Sequence, residues 1–400
     1  MIAADAKQPD VIVATVGKQP MPILIPILQF RPSSTQLIVT DEVQEVAQHI
    51  REAVRVDPKT ADLRVYSHEP VNPHDARDTY KRCEAILSNS RFAERQSAIN
   101  ITGGTTLMNL GAQQAAKEFG VPMLYVDTDD EVIVHLLPNG QETNSPEDVT
   151  VWVSARVYLA AHGASVSLRG PWGQGIAKRE KRIQSFVEAA RFLGRAGSRS
   201  ARLLDEIRTA YCGPDKVVIL PNADGKEREL AGKLTQQGLL ADLQDEANGI
   251  RFDVVDDKLK RDFLTGRWLE LYVYDACVTS GLFDDVLLDV MVSRRAEPRP
   301  VENQLDVVAT WHGRLAVISC KTGRRQMEDD ENKWAVYELD SLLQAELMGL
   351  YARKVLVSNR AELRGALANR AQLSQVKCVT GPQLADVARI VRRHLEEPLP

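Results

Sequence analysis

Glu302-Asn303-Gln304-Leu305-Asp306-Val307-Val308, then Trp311-His312-Gly313-Arg314, then Leu315-Ala316-Val317-Ile318-Ser319-Cys320-Lys321 reads as one β-hairpin. Two apolar, β-branched runs flank a Gly-containing turn, the pattern of paired antiparallel strands. An acid ends the first strand and a lysine ends the second. Period-2 geometry puts Ser319 and Lys321 on one face of the second strand and Cys320 on the other, with Asp306 able to meet them across the ladder. Asp306 interrupts an otherwise apolar strand, and a buried carboxylate is costly without a metal or a cationic partner. A buried Asp306–Lys321 ion pair would meet that demand. So would a divalent cation on the acid, with the lysine beside a scissile phosphate and the attacking water, which is what a metal-dependent nuclease needs.

Upstream, Trp268-Leu269-Glu270-Leu271-Tyr272-Val273-Tyr274 places one acid, Glu270, within an apolar and aromatic helix face. Alone it reads as a surface acid; the hairpin downstream gives it a second reading. The last third, from about 256, is expected to run as helix 256–280, strands 286–293, 304–310 and 315–320, helix 332–349, strand 353–358 and a helix near 381–395.

The N-terminal part alternates strands and helices. Val11–Val16, Gln36–Thr40, Leu63–Tyr66, Ala98–Ile101 and Met123–Val126 are short apolar runs. Helices are expected from Asp41, as cap, to about Arg55, from His74 to Phe92, and from Leu107 to Phe119. That alternation predicts a parallel, doubly wound sheet. Its fourth strand enters Thr102-Gly103-Gly104-Thr105-Thr106, followed by Leu107 and Met108, at a helix start. Paired glycines let a phosphate approach the backbone, the helix N-terminus offers free N–H groups, and Thr102, Thr105 and Thr106 add hydroxyls. Thr15-Val16-Gly17-Lys18-Gln19 leaves the first strand at the same sheet edge, where open α/β sheets bind ligands. A tight structural turn is the competing reading. No Gly-Lys-Ser/Thr or GxGxxG follows, so neither Walker A nor a dinucleotide cofactor is expected. Residues 164–250 read as mostly helical, with a Gly/Pro break at Gly170–Gly175 and a strand at Val217–Leu220.

The bulk numbers fit an ordinary globular protein of two or three domains: 400 residues, 44% hydrophobic and 26% charged. A net charge of −5 argues against indiscriminate coating of nucleic acid. The basic stretches Lys178–Arg182 and Arg191–Arg202 read either as solvated helix faces or as a nucleic-acid surface. Five scattered cysteines give no CxxC and no disulfide framework, so a reducing cytoplasm is expected. The apolar run Met21–Phe30 is too short to span a bilayer and no signal peptide is legible, so no membrane partner is expected.

Asn100-Ile101-Thr102-Gly103-Gly104-Thr105 with Met108, together with Gly17–Pro22, resembles the CARF domains of CRISPR-associated proteins. The blocks Gly266–Glu270 with Tyr272–Tyr274, Asn303–Val307 and Val317–Lys321 resemble the PD-(D/E)xK nuclease fold, in the branch fused to CARF domains in type III CRISPR ancillary nucleases. The resemblance implies a Rossmann-like CARF domain over 1–150, a connecting, mostly helical segment over 151–255 and a restriction-endonuclease-like α/β domain over 256–400. It further implies a cytoplasmic homodimer that binds cyclic oligoadenylate, here cyclic tetra-adenylate, through Thr15, Val16, Gly17, Lys18, Gln19, Thr102, Gly103, Gly104, Thr105, Thr106 and Met108. Carried over, Glu270, Asp306, Ser319 and Lys321 form the catalytic set. Glu270, Asp306 and the Cys320 carbonyl hold Mg²⁺ or Mn²⁺, and the substrate is DNA or RNA. Two departures stand out. Thr106 replaces a lysine found in many relatives. Ser319 replaces the Glu or Asp of the nuclease motif, leaving Glu270 or Glu302 to supply the carboxylate. The alternative is a cyclic-oligoadenylate-responsive nucleic-acid-binding regulator with an inactive nuclease fold.

Overall fold

A computed structural model describes residues 8–92, 95–142, 146–168, 170–213, 216–294, 301–322, 349–363 and 365–397. The N-terminal sheet contains β1 (Val11–Thr15), β2 (Ser34–Ile38), β3 (Val65–Ser67), β4 (Ser97–Asn100) and β5 (Met123–Asp127), parallel in the order β3-β2-β1-β4-β5. Antiparallel β6 (Val132–Leu136) and β7 (Glu147–Asp148) extend it. Alternation along β1 sorts the two faces. Ile12 and Ala14 join one core with α1 (Met21–Phe30) and α2 (Gln44–Val56). Val13 joins the other, with α3 (Ala76–Leu87) and α4 (Thr106–Phe119). Burial on both faces explains why these strands read as continuous apolar runs.

One local expectation changes and one apolar run finds its place. The Met21–Phe30 run is a helix with every residue but Gln29 buried, so its apolarity serves the core. Pro22 sits in its first turn, where no backbone N–H is needed. Asp41 does not cap α2: a 3₁₀ turn covers Asp41–Val43, and Asp41 instead accepts the Gln44 side-chain amide at 3.0 Å.

The middle segment is α5 (Ala155–Ala161), β8 (Ala164–Leu168), α6 (Gly170–Ala177), α7 (Lys181–Ala196), α8 (Ala201–Cys212), β9 (Val217–Pro221), α9 (Gly225–Gln236), β10 (Leu240–Glu246) and β11 (Gly249–Val254). Helices dominate, but β10-β11-β9 form an antiparallel sheet that the sequence reading missed apart from β9. The reason lies in β10, Leu240-Ala241-Asp242-Leu243-Gln244-Asp245-Glu246, an acid-rich edge strand broken at Asp242, whose φ is +49°. Such a strand lacks the β-branched signal.

The C-terminal part begins with α10 (Lys258–Asp262), a π turn over Phe263–Arg267 and α11 (Trp268–Ser280). Then come β12 (Asp285–Arg294), β13 (Val301–Trp311), β14 (Arg314–Lys321), β15 (Ala352–Ser358), α12 (Gly365–Leu373), β16 (Lys377–Val379), a 3₁₀ turn at Gly381–Asp386 and α13 (Val387–Glu396). The sheet order is β16-β15-β14-β13-β12-β8, with β8 from the middle segment paired to β12. The helix expected at 332–349 falls, over 332–348, outside the described residues. No helix among the described residues is long and apolar enough to cross a membrane.

The β13–β14 hairpin turns at His312-Gly313, with φ of +45° and +79°, as a two-residue hairpin of its twist requires. That turn is pressed against the N-terminal domain. A Cβ on Gly313 would stand 3.1 Å from both Ile25 and Met21. Buried Arg314 donates to the carbonyls of Thr128 (2.6 Å) and Asp129 (3.2 Å) and lies 3.3 Å from Glu131. Thr128 donates to the Tyr351 hydroxyl at 2.9 Å. One hydrophobic core runs from Ile12 through Val308 to Leu356, so the two domains share packing as well as polar contacts.

Candidate functional sites

The glycine loop is built by backbone fitting against backbone. A Cβ on Gly103 would lie 2.3 Å from the Thr15 carbonyl oxygen and 2.8 Å from Gly17 N. Gly104 has φ +72°, and a Cβ on Gly17 would stand 3.1 Å from Gly104 N. The loops at 15–19 and 102–106 therefore meet, as their shared sheet edge predicts. Several expected ligand groups act as the frame. Thr15, wholly buried, donates to Gly103 O (2.9 Å) and Asn109 Oδ1 (2.8 Å). Val16 and Met108 are also buried. Asn100 Oδ1 accepts from Thr102 N (3.0 Å) and Thr102 Oγ1 (2.6 Å), and Thr102 Oγ1 accepts from Val126 N (2.8 Å). Thr105 caps α4 by accepting from Met108 N at 3.2 Å, and its hydroxyl donates to Pro73 O. This leaves Gly17, Gly103 and Gly104 half-buried, and Lys18, Thr105 and Thr106 exposed, around the start of α4. Oriented N–H groups and the helix dipole make that rim suited to phosphates. Gln19 reaches the other domain, accepting from Leu350 N at 3.4 Å.

The second site lies where α11, β12, β13 and β14 meet. Asp306 sits inside β13 rather than at its end, because the strand runs on to Trp311. Its Oδ2 accepts from Cys320 N at 2.8 Å and from Ser319 Oγ at 3.4 Å. Ser319 thus does meet Asp306 across the ladder. Lys321 ends β14, half-buried, on the Ser319 face. The Cys320 thiol is buried, and burial together with the Asp306 charge pushes it well above the usual thiol range, so it stays neutral. Glu270 is buried on α11, in contact with Arg267. Burial first, and then the negative charge of Asp306, push the Glu270 carboxyl up to about 7.

Three residues here escaped the sequence reading. Leu288 pairs with Val307 and Val290 with Leu305, which leaves Asp289 facing Asp306 without a ladder pair. Asp289 is 3% exposed and held at φ +56°, in the left-handed region that non-glycine residues rarely adopt. Its carboxylate accepts from Gln304 and lies 3.6 Å from Arg267. Gly170 and Gly173 make room for it; a Cβ at Gly170 would be 2.9 Å from Asp289 Oδ2. Val286-Leu287-Leu288-Asp289-Val290 carried the same signal as Asp306, a lone acid in an apolar strand. Glu302, by contrast, is exposed and four residues from Asp306, about 13 Å at ~3.3 Å per residue. Arg208 and Arg360 are the other unforeseen members. They bind Thr322, next to Lys321, through its hydroxyl (2.9 Å) and carbonyl (3.2 Å), and Arg360 also grips Asp205 at 2.8 Å.

The donor set fits a hard divalent cation. Glu270, Asp289 and Asp306 present oxygen donors, and burial first, then the Asp306 charge, make the ionised Glu270 carboxylate costly unless a further cation joins it. Among the described residues no three His, Cys, Asp or Glu side chains stand as a ready-formed metal cage. Arg267 occupies the space between Glu270 and Asp289. The basic stretch at 178–202 is partly neutralised: Arg182, Arg191 and Arg202 pair with Asp257, Asp275 and Glu227.

Residues 11–152 match the family model of the Card1 CARF domain, and residues 257–397 match that of the Card1-like endonuclease domain. No curated protein matches the chain. Among solved structures, Can2 from Sulfobacillus thermosulfidooxidans, in complex with cyclic tetra-adenylate, is 22% identical, covers 97% of this chain and 98% of its own, and gives a TM-score of 0.71. Protein VC1899 from Vibrio cholerae is 19% identical over 97% of this chain and 99% of its own, with a TM-score of 0.74. A type III CRISPR defence DNA nuclease activated by cyclic oligoadenylate is 18% identical over 89% of this chain and 46% of its own, with a TM-score of 0.51. At these identities the likeness is one of fold.

Proposed function

We propose that this chain, which joins a Card1 CARF domain to a Card1-like endonuclease domain, is a metal-dependent nuclease switched on by cyclic oligoadenylate in type III CRISPR defence. The observation that carries the reading is one hairpin serving both halves. Its open end bears Asp306 and Lys321, and its turn, His312–Arg314, is locked onto the CARF domain through Arg314 and Gly313. A shift of the CARF domain therefore acts on the strand pair that carries the chemistry. Cyclic tetra-adenylate is the activator this reading favours, seated on the Gly103-Gly104 rim. Exposed Leu107 and Leu110 on α4, beside that rim, suit it to a homodimer in which two rims face one ring. Activation requires the ring to bind the cutting arrangement better than the resting one.

In the nuclease site, Glu270, Asp289 and Asp306 would hold Mg²⁺ or Mn²⁺, with the Cys320 carbonyl as the further ligand. Such an ion would supply Lewis acidity toward the scissile phosphate of DNA or RNA and would activate water as the nucleophile. Lys321 orients the water and stabilises charge on the phosphorus. Arg267, in contact with Glu270 and 3.6 Å from Asp289, holds these two acids in place. Ser319, unable to ligate as an anion, steadies Asp306 by hydrogen bonding. The test is cleavage of labelled DNA and RNA with and without cyclic tetra-adenylate, in Mg²⁺, Mn²⁺ or chelator, for the native chain and the Asp306→Ala and Lys321→Ala variants. Cutting that needs no activator and survives both substitutions would sink the reading. Activator-dependent nucleic-acid binding with no cutting would install the regulator reading that Ser319 favours.

A further inference from the structure

A cavity of about 440 Å³ opens beside the edge strand of the CARF sheet, between β2, β3 and the end of α3, and runs from Ser33 and Arg64 to Ser67 and His68. Among the described residues, none that lines it belongs to the glycine loop at 15–19 or 102–106. Four arginines, Arg64, Arg82, Arg91 and Arg95, border the cavity with two rings, Tyr66 and Phe92. Arg95 is paired, lying 3.2 Å from Asp10 and donating to Ser33 at 2.6 Å. Among the described residues, the Arg64, Arg82 and Arg91 guanidinium groups have no carboxylate partner. This is in a chain with 55 acids against 50 bases. Three cations around one hollow, with no carboxylate among the described residues that line it, repel each other unless an anion joins them.

The floor is polar where a buried parallel strand is ordinarily apolar. Ser34 and Gln36 of β2 are 6% and 4% exposed. Gln36 Nε2 donates to Ser34 Oγ at 2.7 Å, and Gln36 Oε1 meets His68 Nε2 at 2.8 Å. With Nε2–H committed to that oxygen, His68 offers Nδ1 as an acceptor. Burial, and then the Arg82 charge, hold its pKa below the usual imidazole value and keep the ring neutral. A floor with fixed hydrogen-bonding edges, a cationic rim and flanking aromatic rings is the equipment for a phosphate attached to a planar base.

We propose that this cavity is a second nucleotide-phosphate site, separate from the glycine loop, in which Arg64, Arg82 and Arg91 hold the phosphate, Tyr66 or Phe92 stacks on the base, and the Gln36–His68 pair meets its polar edge. The same chemistry is offered by a free nucleotide or by the terminal nucleotide of a strand. Calorimetric titration of the full chain with adenosine 5′-monophosphate, with 5′-phosphorylated linear tetra-adenylate and with inorganic phosphate separates these sources. The expected result is saturable binding of one nucleotide per chain, at least tenfold tighter than phosphate. Tighter binding of the monophosphate identifies a free nucleotide; tighter binding of the oligomer identifies a strand end. The Arg64→Ala/Arg82→Ala double variant should weaken binding at least tenfold. Because Arg64 is exposed and Arg82 half-buried, its thermal melt should match the native one. Tyr66→Ala should weaken the nucleotide several-fold and leave phosphate binding alone. Saturating cyclic tetra-adenylate should not displace the monophosphate. Absence of saturable binding, equal affinity for phosphate, an unchanged double variant, or displacement by the cyclic ring would each overturn the proposal. None of these readouts involves cleavage, so they stand or fall apart from the nuclease reading.

Discussion

The glycine loop and the hairpin site solve opposite problems. At 102–106 the chain removes side chains so that two backbones can touch: Gly103 has no room for a Cβ, and Thr15, Thr102 and Thr105 turn their hydroxyls inward to hold the frame. At 270–321 the chain buries charge against charge: Glu270, Asp289 and Asp306 crowd around Arg267 under strained backbone. A backbone site tolerates little change in shape and is indifferent to pH. A charge site tolerates modest changes in shape but depends on every ionisation. The two respond to different perturbations even though one hairpin connects them.

The largest separation should come from Asp306→Ala and Lys321→Ala. Each is expected to cut activated cleavage on the order of 10³-fold, the scale for losing a group that stabilises transition-state charge. Binding of cyclic tetra-adenylate, followed by calorimetry, should be unaltered; parallel loss of both would break the division. Gly103→Ala should do the reverse. Its methyl group would sit 2.3 Å from the Thr15 carbonyl, so loop distortion of about 1–3 kcal/mol is expected. Activator affinity should drop by the matching factor of roughly 5- to 150-fold, while basal metal binding at Glu270, measured by Mn²⁺ titration, stays put.

The pH dependence sharpens the contrast further. The folded Glu270 carboxyl keeps its proton up to about 7, against an ordinary value of 4.5. The fold therefore binds more protons than the unfolded chain across that window, and stability falls as pH rises from about 4.5 to about 7. Thermal melts in chelator should show this slope, and both Glu270→Gln and added Mg²⁺ should flatten it. An unchanged slope in Glu270→Gln would remove Glu270 as its source. The smallest effect is expected from Ser319→Ala. Its hydrogen bond to Asp306 is long, at 3.4 Å, while the Cys320 N–H at 2.8 Å remains, so about 0.5 kcal/mol or less, a roughly twofold loss in cutting, is expected. A drop comparable to Asp306→Ala would instead make the serine a necessary ligand-holding group.

The hairpin, the alternating N-terminal strands and the Gly-Gly loop were legible because each is specified by neighbours in sequence: period-2 runs, turn residues and a helix start. Asp306 and Glu270 stood out because an acid inside an apolar stretch is anomalous wherever it falls. Asp289 carried the same anomaly and was passed over, since nothing local distinguishes a carboxylate that faces Asp306 from one that faces solvent. The β10–β11 hairpin was missed because its edge-strand residues are acidic and lack β-branching. The sequence by itself determined the hairpin, the alternating N-terminal strands, the Gly-Gly loop and the order in which they occur. Tertiary structure alone decided that β8 joins the C-terminal sheet, that Thr15 and Met108 frame the loop, that Arg267 stands between Glu270 and Asp289, and that the hairpin turn is clasped by Thr128–Glu131. The physical reason is range. Strand period and turn chemistry act over a few residues, whereas burial, ion pairing and pKa shifts depend on which distant segments the fold brings to the same point.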